Sequence, residues 1–174
     1  MFASTIRTIA DYPKPGIQFR DITTLLKDRV AFNAMVDALA LHYANVRLDK
    51  VAAIESRGFI IGAALASKLE LGFVPVRKRG KLPAETVMQP YKLEYGEDAL
   101  EIHVDAVTEG EQLLLVDDLI ATGGTAMAAM TLVRRLGGVV EHAAFVVDLP
   151  ALGGLQQLQS AGVKPFVLCQ FDGH

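Results

Sequence analysis

Two adjacent carboxylates and a loop of small residues form the part of the chain best suited to chemistry. Asp117 and Asp118 come directly after the apolar run 113–116, and the small residues follow closely. Such carboxylates can accept protons from hydroxyl groups or lie near a metal ion. Small side chains let backbone N–H groups approach an anion, so the loop is suited to phosphate. The loop residues are Ala121, Thr122, Gly123, Gly124 and Thr125.

A strand and a helix must position these groups. Residues 113–116 are all apolar, which is typical of a strand in a buried parallel sheet, and the two acids are expected to end it. After the loop, apolar residues recur at helical spacing, and ligands of open α/β sheets bind beyond the carboxyl ends of strands. The alternative is a turn without a ligand, in which the glycines reverse the chain and the aspartates cap a helix.

The spacing of apolar residues along the rest of the chain predicts strands that alternate with helices in one domain, residues 1–174. We expect an irregular entry segment at 11–24, because it contains two prolines and a glycine. The fold class predicted is α/β, a mostly parallel twisted sheet flanked by helices on both faces. Further strands are predicted at 51–54, 73–76, 139–147 and 165–169, and further helices at 32–43, 61–69 and 151–160.

Two other segments carry groups that suit an anionic ligand. Residues 55–59 follow the strand at 51–54, and Arg57 offers a guanidinium fork for phosphate oxygens. Basic residues occupy four of the five positions from 77 to 81, which fits a polyanionic small substrate. The alternative for both segments is a solvated turn.

Residues 79–98 are polar and turn-rich, and loops of this length in compact domains are often functional lids. A carboxylate such as Glu94 on this loop could move a proton after substrate binds. The alternative is an exposed glutamate in a hairpin, because residues 91–95 and 100–103 could pair as short antiparallel strands.

Composition limits the class of protein. Apolar residues make up 51% and charged residues 21%, as in globular proteins, and the mean hydropathy of +0.31 suggests burial against a second copy in a homodimer. The net charge of −3 argues against nucleic-acid binding. We expect no membrane segment and no signal peptide. Cys169 is the single cysteine, which excludes an internal disulfide and fits the cytoplasm.

Five motifs occur along the chain. They are Phe-Arg-Asp-Ile at 19–22, Glu-Ser-Arg-Gly-Phe at 55–59, Arg-Gly-Lys-Leu-Pro at 79–83, Leu-Glu-Tyr-Gly at 93–96, and the acid pair with its small-residue loop at 117–125. Together they resemble the adenine phosphoribosyltransferase family, because the motif at 117–125 resembles the signature of all type I phosphoribosyltransferases and the other four point to the adenine branch. The resemblance covers nearly the whole chain and implies the type I fold. It also implies the reaction of adenine with phosphoribosyl pyrophosphate to give AMP and pyrophosphate in purine salvage.

The resemblance implies a role for each candidate residue. The loop 121–125 would hold the 5′-phosphate of phosphoribosyl pyrophosphate or AMP. Asp117 and Asp118 would face the ribose, and Asp118 and Glu94 would be catalytic. Residues 79–98 would form the flexible catalytic loop, or lid, with Tyr95 on it. The pyrophosphate-binding residues would be Ser56, Arg57, Arg77, Lys78 and Lys81.

The resemblance also implies which residues bind the base and how a metal ion is held. Phe19, Arg20 and Ile120 would bind adenine, with the amino-terminal segment 1–30 facing the base. Mg²⁺ would be held mainly by substrate and water, with no direct protein ligand. Two alternatives remain from the sequence: a phosphoribosyltransferase for another base, or a regulator that senses phosphoribosyl pyrophosphate and acts on nucleic acid.

Overall fold

The structure is a computed structural model that describes residues 2–92 and 97–172. Its strands are β1 Arg7–Ala10, β2 Gln18–Asp21, β3 Lys50–Ile54, β4 Gly72–Lys78, β5 Thr86–Lys92, β6 Glu97–His103, β7 Gln112–Ile120, β8 Val139–Asp148 and β9 Lys164–Gln170. Its α-helices are α1 Thr23–Lys27, α2 Arg29–Tyr43, α3 Arg57–Lys68, α4 Gly124–Arg135 and α5 Gly154–Ser160. Short 3-10 helices span Phe2–Thr5 and Pro150–Leu152.

A seven-stranded sheet in the order β5-β6-β4-β3-β7-β8-β9 forms the centre of the fold. The pairs β4–β3, β3–β7, β7–β8 and β8–β9 are parallel, whereas β6 runs antiparallel to both β4 and β5. β1 and β2 pair in a separate antiparallel hairpin. The predicted α/β class with a mostly parallel sheet is therefore confirmed, with β5 and β6 as its antiparallel part.

Strand β7 is covered on both faces, which explains its continuous apolar run. Leu113 and Leu115 belong to the core formed with α4 and α5. Leu114 and Val116 belong to the core formed with α1, α2 and α3. Alternate side chains of a strand point to opposite faces, so both sets must be apolar when helices cover both. None of the described helices combines the length and apolar character needed to cross a bilayer.

The expectation that the acids end the strand at 116 is wrong. β7 continues to Ile120, and its pairing with β8 includes Asp117 with Phe145 and Leu119 with Val147. Pairing of parallel strands uses backbone groups, so polar side chains do not interrupt it when a cleft receives them. The two acids therefore project from a regular strand in the middle of the sheet.

Two other segments are more regular than the sequence predicted. Within 11–24, which was expected to be irregular, β2 and α1 account for most residues from Gln18 onward. Within 79–98, β5 pairs with β6 in register from Thr86–His103 to Lys92–Glu97. An antiparallel pair is therefore present, but the predicted partners are wrong, because residues 100–103 pair with Thr86–Gln89 and both strands begin earlier than predicted. Closure of the segment as a lid stays a prediction.

Candidate active site

A cleft of about 600 Å³ opens at the carboxyl ends of the central strands. β3 and β7 are parallel neighbours with Ala53 opposite Val116, so the residues that follow each position reach the same edge. Ligands of open α/β sheets bind at this edge. The cleft is lined by residues 54–57, Lys78, Tyr91, residues 117–126 and Phe145.

The loop between β7 and α4 forms one wall of the cleft. Gly123 has a φ of 89°, a left-handed conformation that favours glycine, and it precedes the first residue of α4. No side chain hydrogen-bonds to the amino end of α4 as a cap. The first N–H groups of a helix lack partners within the helix and carry positive potential, so they can bind an anion. The turn at 121–125 therefore presents free N–H groups at the amino end of α4, an arrangement suited to an anion.

The two acids lie beside this turn in a buried environment. Asp118 is 5% exposed, and its backbone N–H donates to Oδ1 of Asp117 at 2.8 Å. Burial raises the pKa of Asp117 well above its ordinary value, and the adjacent charge of Asp118 raises it further. A Cβ atom at Gly58, in the first turn of α3, would lie 2.8 Å from Oδ1 of Asp117. Only glycine therefore lets α3 begin so close to this carboxylate.

Cationic side chains around the cleft are paired with carboxylates of the same site. Nε of Arg57 donates to Oδ2 of Asp118, across 61 residues of sequence. Nε of Arg77 donates to Oε2 of Glu55 at 2.6 Å, close to the cis peptide bond that joins Glu55 to Ser56. These guanidinium groups can exchange a carboxylate for phosphate oxygens, which have a similar geometry.

A second set of contacts connects the basic segment to the β5–β6 hairpin. Nζ of Lys78 lies 3.3 Å from Oδ2 of Asp98, and Nη1 of Arg77 donates to the backbone oxygen of Lys81 at 3.1 Å. The side chain of Glu101 is buried and accepts from the N–H of Gly80 at 3.0 Å. The turn after β4 is therefore held beside the cleft by backbone as well as charged contacts.

The amino-terminal segment reaches the cleft through Phe19. The ring centre of Phe19 lies 5.7 Å from Cζ of Arg57. The neighbouring Arg20 has different partners, because its guanidinium lies 4.4 Å from the ring centre of Phe171 and donates to the backbone oxygen of Asp172 at 3.3 Å. The carboxyl-terminal residues therefore hold Arg20 in the amino-terminal segment.

The structure brings most of the predicted site residues to one cleft. Those that line it are Ser56, Arg57, Lys78, Asp117, Asp118, Ile120 and residues 121–125. Arg77 and Phe19 contact lining residues, whereas Lys81 and Arg20 are not among the described lining residues. Glu94 and Tyr95 lie outside the described residues.

Sequence reasoning gave no role to Tyr91, which also lines the cleft. Its hydroxyl donates to Oδ2 of Asp98 at 3.3 Å, and burial together with the charge of Asp98 raises the pKa of Tyr91. Phe145 lines the cleft because it pairs with Asp117 in the β7–β8 register. Residues 86–92 show no alternation of apolar and polar side chains that could have indicated the strand carrying Tyr91, and the register of β8 likewise leaves no signal in the sequence.

The described residues contain no cluster of three or more His, Cys, Asp or Glu side chains that could hold a metal ion. The cleft nevertheless offers Asp117 and Asp118, whose oxygens suit a hard cation such as Mg²⁺. An ion that takes most of its ligands from substrate oxygens and water is consistent with this sparse donor set.

Comparison with known proteins identifies the family. The phosphoribosyl transferase domain family matches residues 27–156. The adenine phosphoribosyltransferase of Nitrosospira multiformis is 59% identical over 171 residues, covering 98% of both chains. The crystal structure of the Thermoanaerobacter pseudethanolicus adenine phosphoribosyltransferase superposes with a TM-score of 0.94 at 50% identity, covering 98% of both chains.

A more distant structure adds ligands to this comparison. The Saccharomyces cerevisiae adenine phosphoribosyltransferase, solved with adenine and an imino-altritol bisphosphate, superposes with a TM-score of 0.91 at 37% identity. The match covers 97% of this chain and 96% of the yeast chain. Matches of this identity and coverage show that the chain belongs to the adenine phosphoribosyltransferase family.

Proposed function

We propose that this protein transfers the 5-phosphoribosyl group from phosphoribosyl pyrophosphate to adenine, giving AMP and pyrophosphate in purine salvage. The observation that carries the proposal is one cleft that is lined by the turn at 121–125, by the adjacent acids Asp117 and Asp118, and by Arg57, which is paired with Asp118. Each part of the substrate then has a complementary group. Relatives that match almost the full chain bear the name of this activity.

The turn at 121–125 binds the 5′-phosphate. Backbone N–H groups at the amino end of α4 and the hydroxyl groups of Thr122 and Thr125 supply the donors. Asp117 and Asp118 then face the two ribose hydroxyls, because they lie directly before the turn on β7. A carboxylate accepts hydrogen bonds from hydroxyl groups, so the sugar is fixed in orientation before the reaction.

The pyrophosphate group binds in the part of the cleft formed at the ends of β3 and β4, where Ser56, Arg57 and Lys78 lie. Its oxygens replace Asp118 as the partner of Arg57, which frees the Asp118 carboxylate for the sugar. Arg77 and Lys81 add positive charge from the turn beside the cleft. Neutralising the leaving group favours its departure, since charge that develops on it is stabilised in place.

Bond cleavage at the anomeric carbon develops positive charge on the ribose ring, as in glycoside hydrolysis. The Asp118 carboxylate stabilises that charge, and Glu94 takes a proton from the purine ring as the new carbon–nitrogen bond forms. Water would hydrolyse the activated sugar, so residues 79–98, with Tyr95, act as the lid that excludes it.

Mg²⁺ is the proposed cofactor, and when bound it supplies positive charge to the pyrophosphate and ribose oxygens. Asp117 and Asp118 would contact its water shell, whereas the third lining carboxylate, Glu55, is paired with Arg77. The adenine ring packs between Phe19 and Ile120, with Arg20 beside them in the amino-terminal segment. Ile120 lines the cleft, and the Phe19 ring lies close to Arg57, which supports this placement.

We also propose that the protein is a homodimer that works in the cytoplasm. Apolar side chains on α3 and β4 support a second copy, since Ile60 is 47% exposed and Phe73 is 37% exposed. The single cysteine, Cys169, fits a reducing compartment. Sedimentation analysis tests the dimer, which a monomer at micromolar concentration would refute.

A panel of bases tests the activity. Purified protein is mixed with phosphoribosyl pyrophosphate, Mg²⁺ and adenine, hypoxanthine, guanine, xanthine or a pyrimidine, and pyrophosphate release is measured. We expect rapid release with adenine and little with the other bases. Faster release with another base would change the assigned substrate, and no release with any base would refute the proposal.

Substitution of the turn tests the phosphate assignment. Thr122→Ala combined with Gly124→Val removes a hydroxyl donor and adds bulk at the amino end of α4, so AMP affinity should fall. Thr131→Ala is the control, because Thr131 lies in α4 but does not line the described cleft, and its hydroxyl donates to the oxygen of Met127 at 2.8 Å. Isothermal titration with AMP measures both variants. Unchanged AMP affinity in the double variant would show that the phosphate binds elsewhere.

A further inference from the structure

We propose that Gly154 is a positioning residue for the 5′-phosphate, acting through the backbone of the turn at 121–125. Gly154 is the first residue of α5 and does not line the cleft in the described structure. The inference rests on the proposed function, because it requires that phosphate binds at this turn. We call residues 149–154 the brace, since they run directly behind the turn.

Two backbone hydrogen bonds connect the brace to the turn. The N–H of Leu149 donates to the oxygen of Ile120 at 3.1 Å, and the N–H of Gly154 donates to the oxygen of Ala121 at 3.0 Å. Consecutive carbonyl groups at the start of the turn are therefore held by the same brace.

These bonds also orient the N–H groups of the turn. The peptide bonds after Ile120 and Ala121 are not among the cis peptides of the described chain, so they are trans. In a trans peptide the N–H points away from the C=O of the same plane. Because both carbonyls face the brace, the N–H groups of Ala121 and Thr122 face away from it. Both residues line the cleft, so their donors are directed to the side where phosphate would bind.

Close packing explains why the brace needs glycine at this position. A Cβ atom on Gly154 would overlap the oxygen of Ala121, lie 2.7 Å from Cγ1 of Ile120 and lie 2.9 Å from the N of Gly123. Real Cβ atoms essentially never approach other atoms closer than 3.0 Å, so the turn would have to move. The φ of Gly154 lies outside the left-handed range, which means that space, and not backbone conformation, is the requirement.

The contact is reciprocal across the turn. A Cβ atom on Gly123 would lie 3.1 Å from Cα of Gly154 and 3.2 Å from its oxygen. The two glycines therefore face each other at backbone distance, and any side chain on one displaces the other. Displacement of the turn by a few tenths of an ångström changes hydrogen-bond geometry at the phosphate, which is sensitive to both distance and angle.

The variant Gly154→Ala tests the proposal by isothermal titration with AMP and by steady-state kinetics. We expect AMP affinity to fall at least tenfold and the KM for phosphoribosyl pyrophosphate to rise by a similar factor. The KM for adenine should rise less than the KM for phosphoribosyl pyrophosphate, because the added Cβ touches one side-chain atom of Ile120, a proposed base contact, but overlaps the backbone of the turn itself. A purely structural role would lower the melting temperature without this selective effect.

Gly138→Ala is the matched control. A Cβ atom there would lie 2.7 Å from Cγ1 of Val107 and 2.7 Å from Cγ1 of Val133, in the core and not at the turn. We expect this variant to lose thermal stability and to keep its AMP affinity. If both variants lost AMP affinity equally while folded, general loosening would account for the effect and the positioning role would be wrong.

A measurement on the wild-type protein covers the case in which Gly154→Ala does not fold. In a two-dimensional NMR titration with AMP, the Gly154 amide should shift and saturate at the same concentration as the Thr122 amide. An unshifted Gly154 amide, or a folded Gly154→Ala protein with wild-type AMP affinity, would overturn the positioning role alone. Wild-type protein that binds no AMP would instead refute the proposed function, and the positioning role with it.

Discussion

The Asp118→Asn variant tests the electrostatic part of the proposed reaction. Asparagine keeps the volume of aspartate and an oxygen acceptor for Nε of Arg57, so the fold should tolerate it. The variant removes one negative charge from a group that is 5% exposed. We expect turnover to fall because the positive charge on the ribose ring loses its stabilising carboxylate.

The size of this loss follows from Coulomb's law and the burial of Asp118. In water a pair of unit charges about 5 Å apart interacts by less than about 1 kcal/mol, but an effective dielectric constant of about 20 raises this to about 3 kcal/mol. The ribose carries only part of a full charge at the transition state, so about 2 kcal/mol is expected, or roughly a 30-fold decrease in kcat. An exposed carboxylate would give a much smaller effect.

Single-turnover kinetics at saturating phosphoribosyl pyrophosphate isolate the chemical step from product release. Asp49→Asn is the control, since Asp49 accepts from the N–H of Gln112 at 2.8 Å, at the opposite end of β7 from the acids. If both the Asp49→Asn control and the Asp118→Asn variant react at the wild-type rate, the electrostatic role of Asp118 is refuted. The pKa of Asp117 provides a second measurement, because loss of the Asp118 charge should lower it.

Three further variants test the pH dependence of folding stability, the base-binding residues and the proposed catalytic glutamate. Arg7 donates hydrogen bonds that lower the pKa of Asp21 from 3.8 to about 2, so Asp21 adds stability that is lost as pH falls through this interval. Urea denaturation of Asp21→Asn should therefore show lower stability at neutral pH and a weaker acid dependence, and an unchanged pH profile would contradict this. Phe171→Ala removes the ring beside Arg20, so the KM for adenine should rise while that for phosphoribosyl pyrophosphate stays constant; equal changes in both would contradict the assignment. Glu94→Gln should lower turnover with little loss of phosphoribosyl pyrophosphate affinity, and unchanged turnover would remove Glu94 from the mechanism.

The sequence predicted the part of the site in which the strand pattern, the acidic side chains and the small loop residues are close together along the chain. The apolar run at 113–116, the acids and the small residues at 121–125 lie within thirteen consecutive residues, so a strand and a helix start could be predicted together. The same reading placed the strand end too early. A run of polar residues is ambiguous, because Asp117 and Asp118 face a cleft while their backbone continues the sheet.

Contacts that depend on strand register could not be predicted. Arg57 and Asp118 are 61 residues apart and meet only because β3 and β7 are aligned with Ala53 opposite Val116. Pro90 favoured a loop at 79–98, since proline interrupts central strands. It is tolerated in β5 because this strand lies at the edge of the sheet and pairs with β6 alone.

The central position of β7 affects how firmly the acids are held. β7 lies between β3 and β8, and Leu114, Leu115 and Val116 have no exposed surface. Amide protons of such residues exchange with solvent mainly through global unfolding, so local opening of this strand should be rare. Groups on the edge strand β5 have pairing on one side only and can open at lower free energy. The acids are thus preorganised by a protected central strand, whereas the edge strand that carries Tyr91 retains freedom to adjust around a ligand.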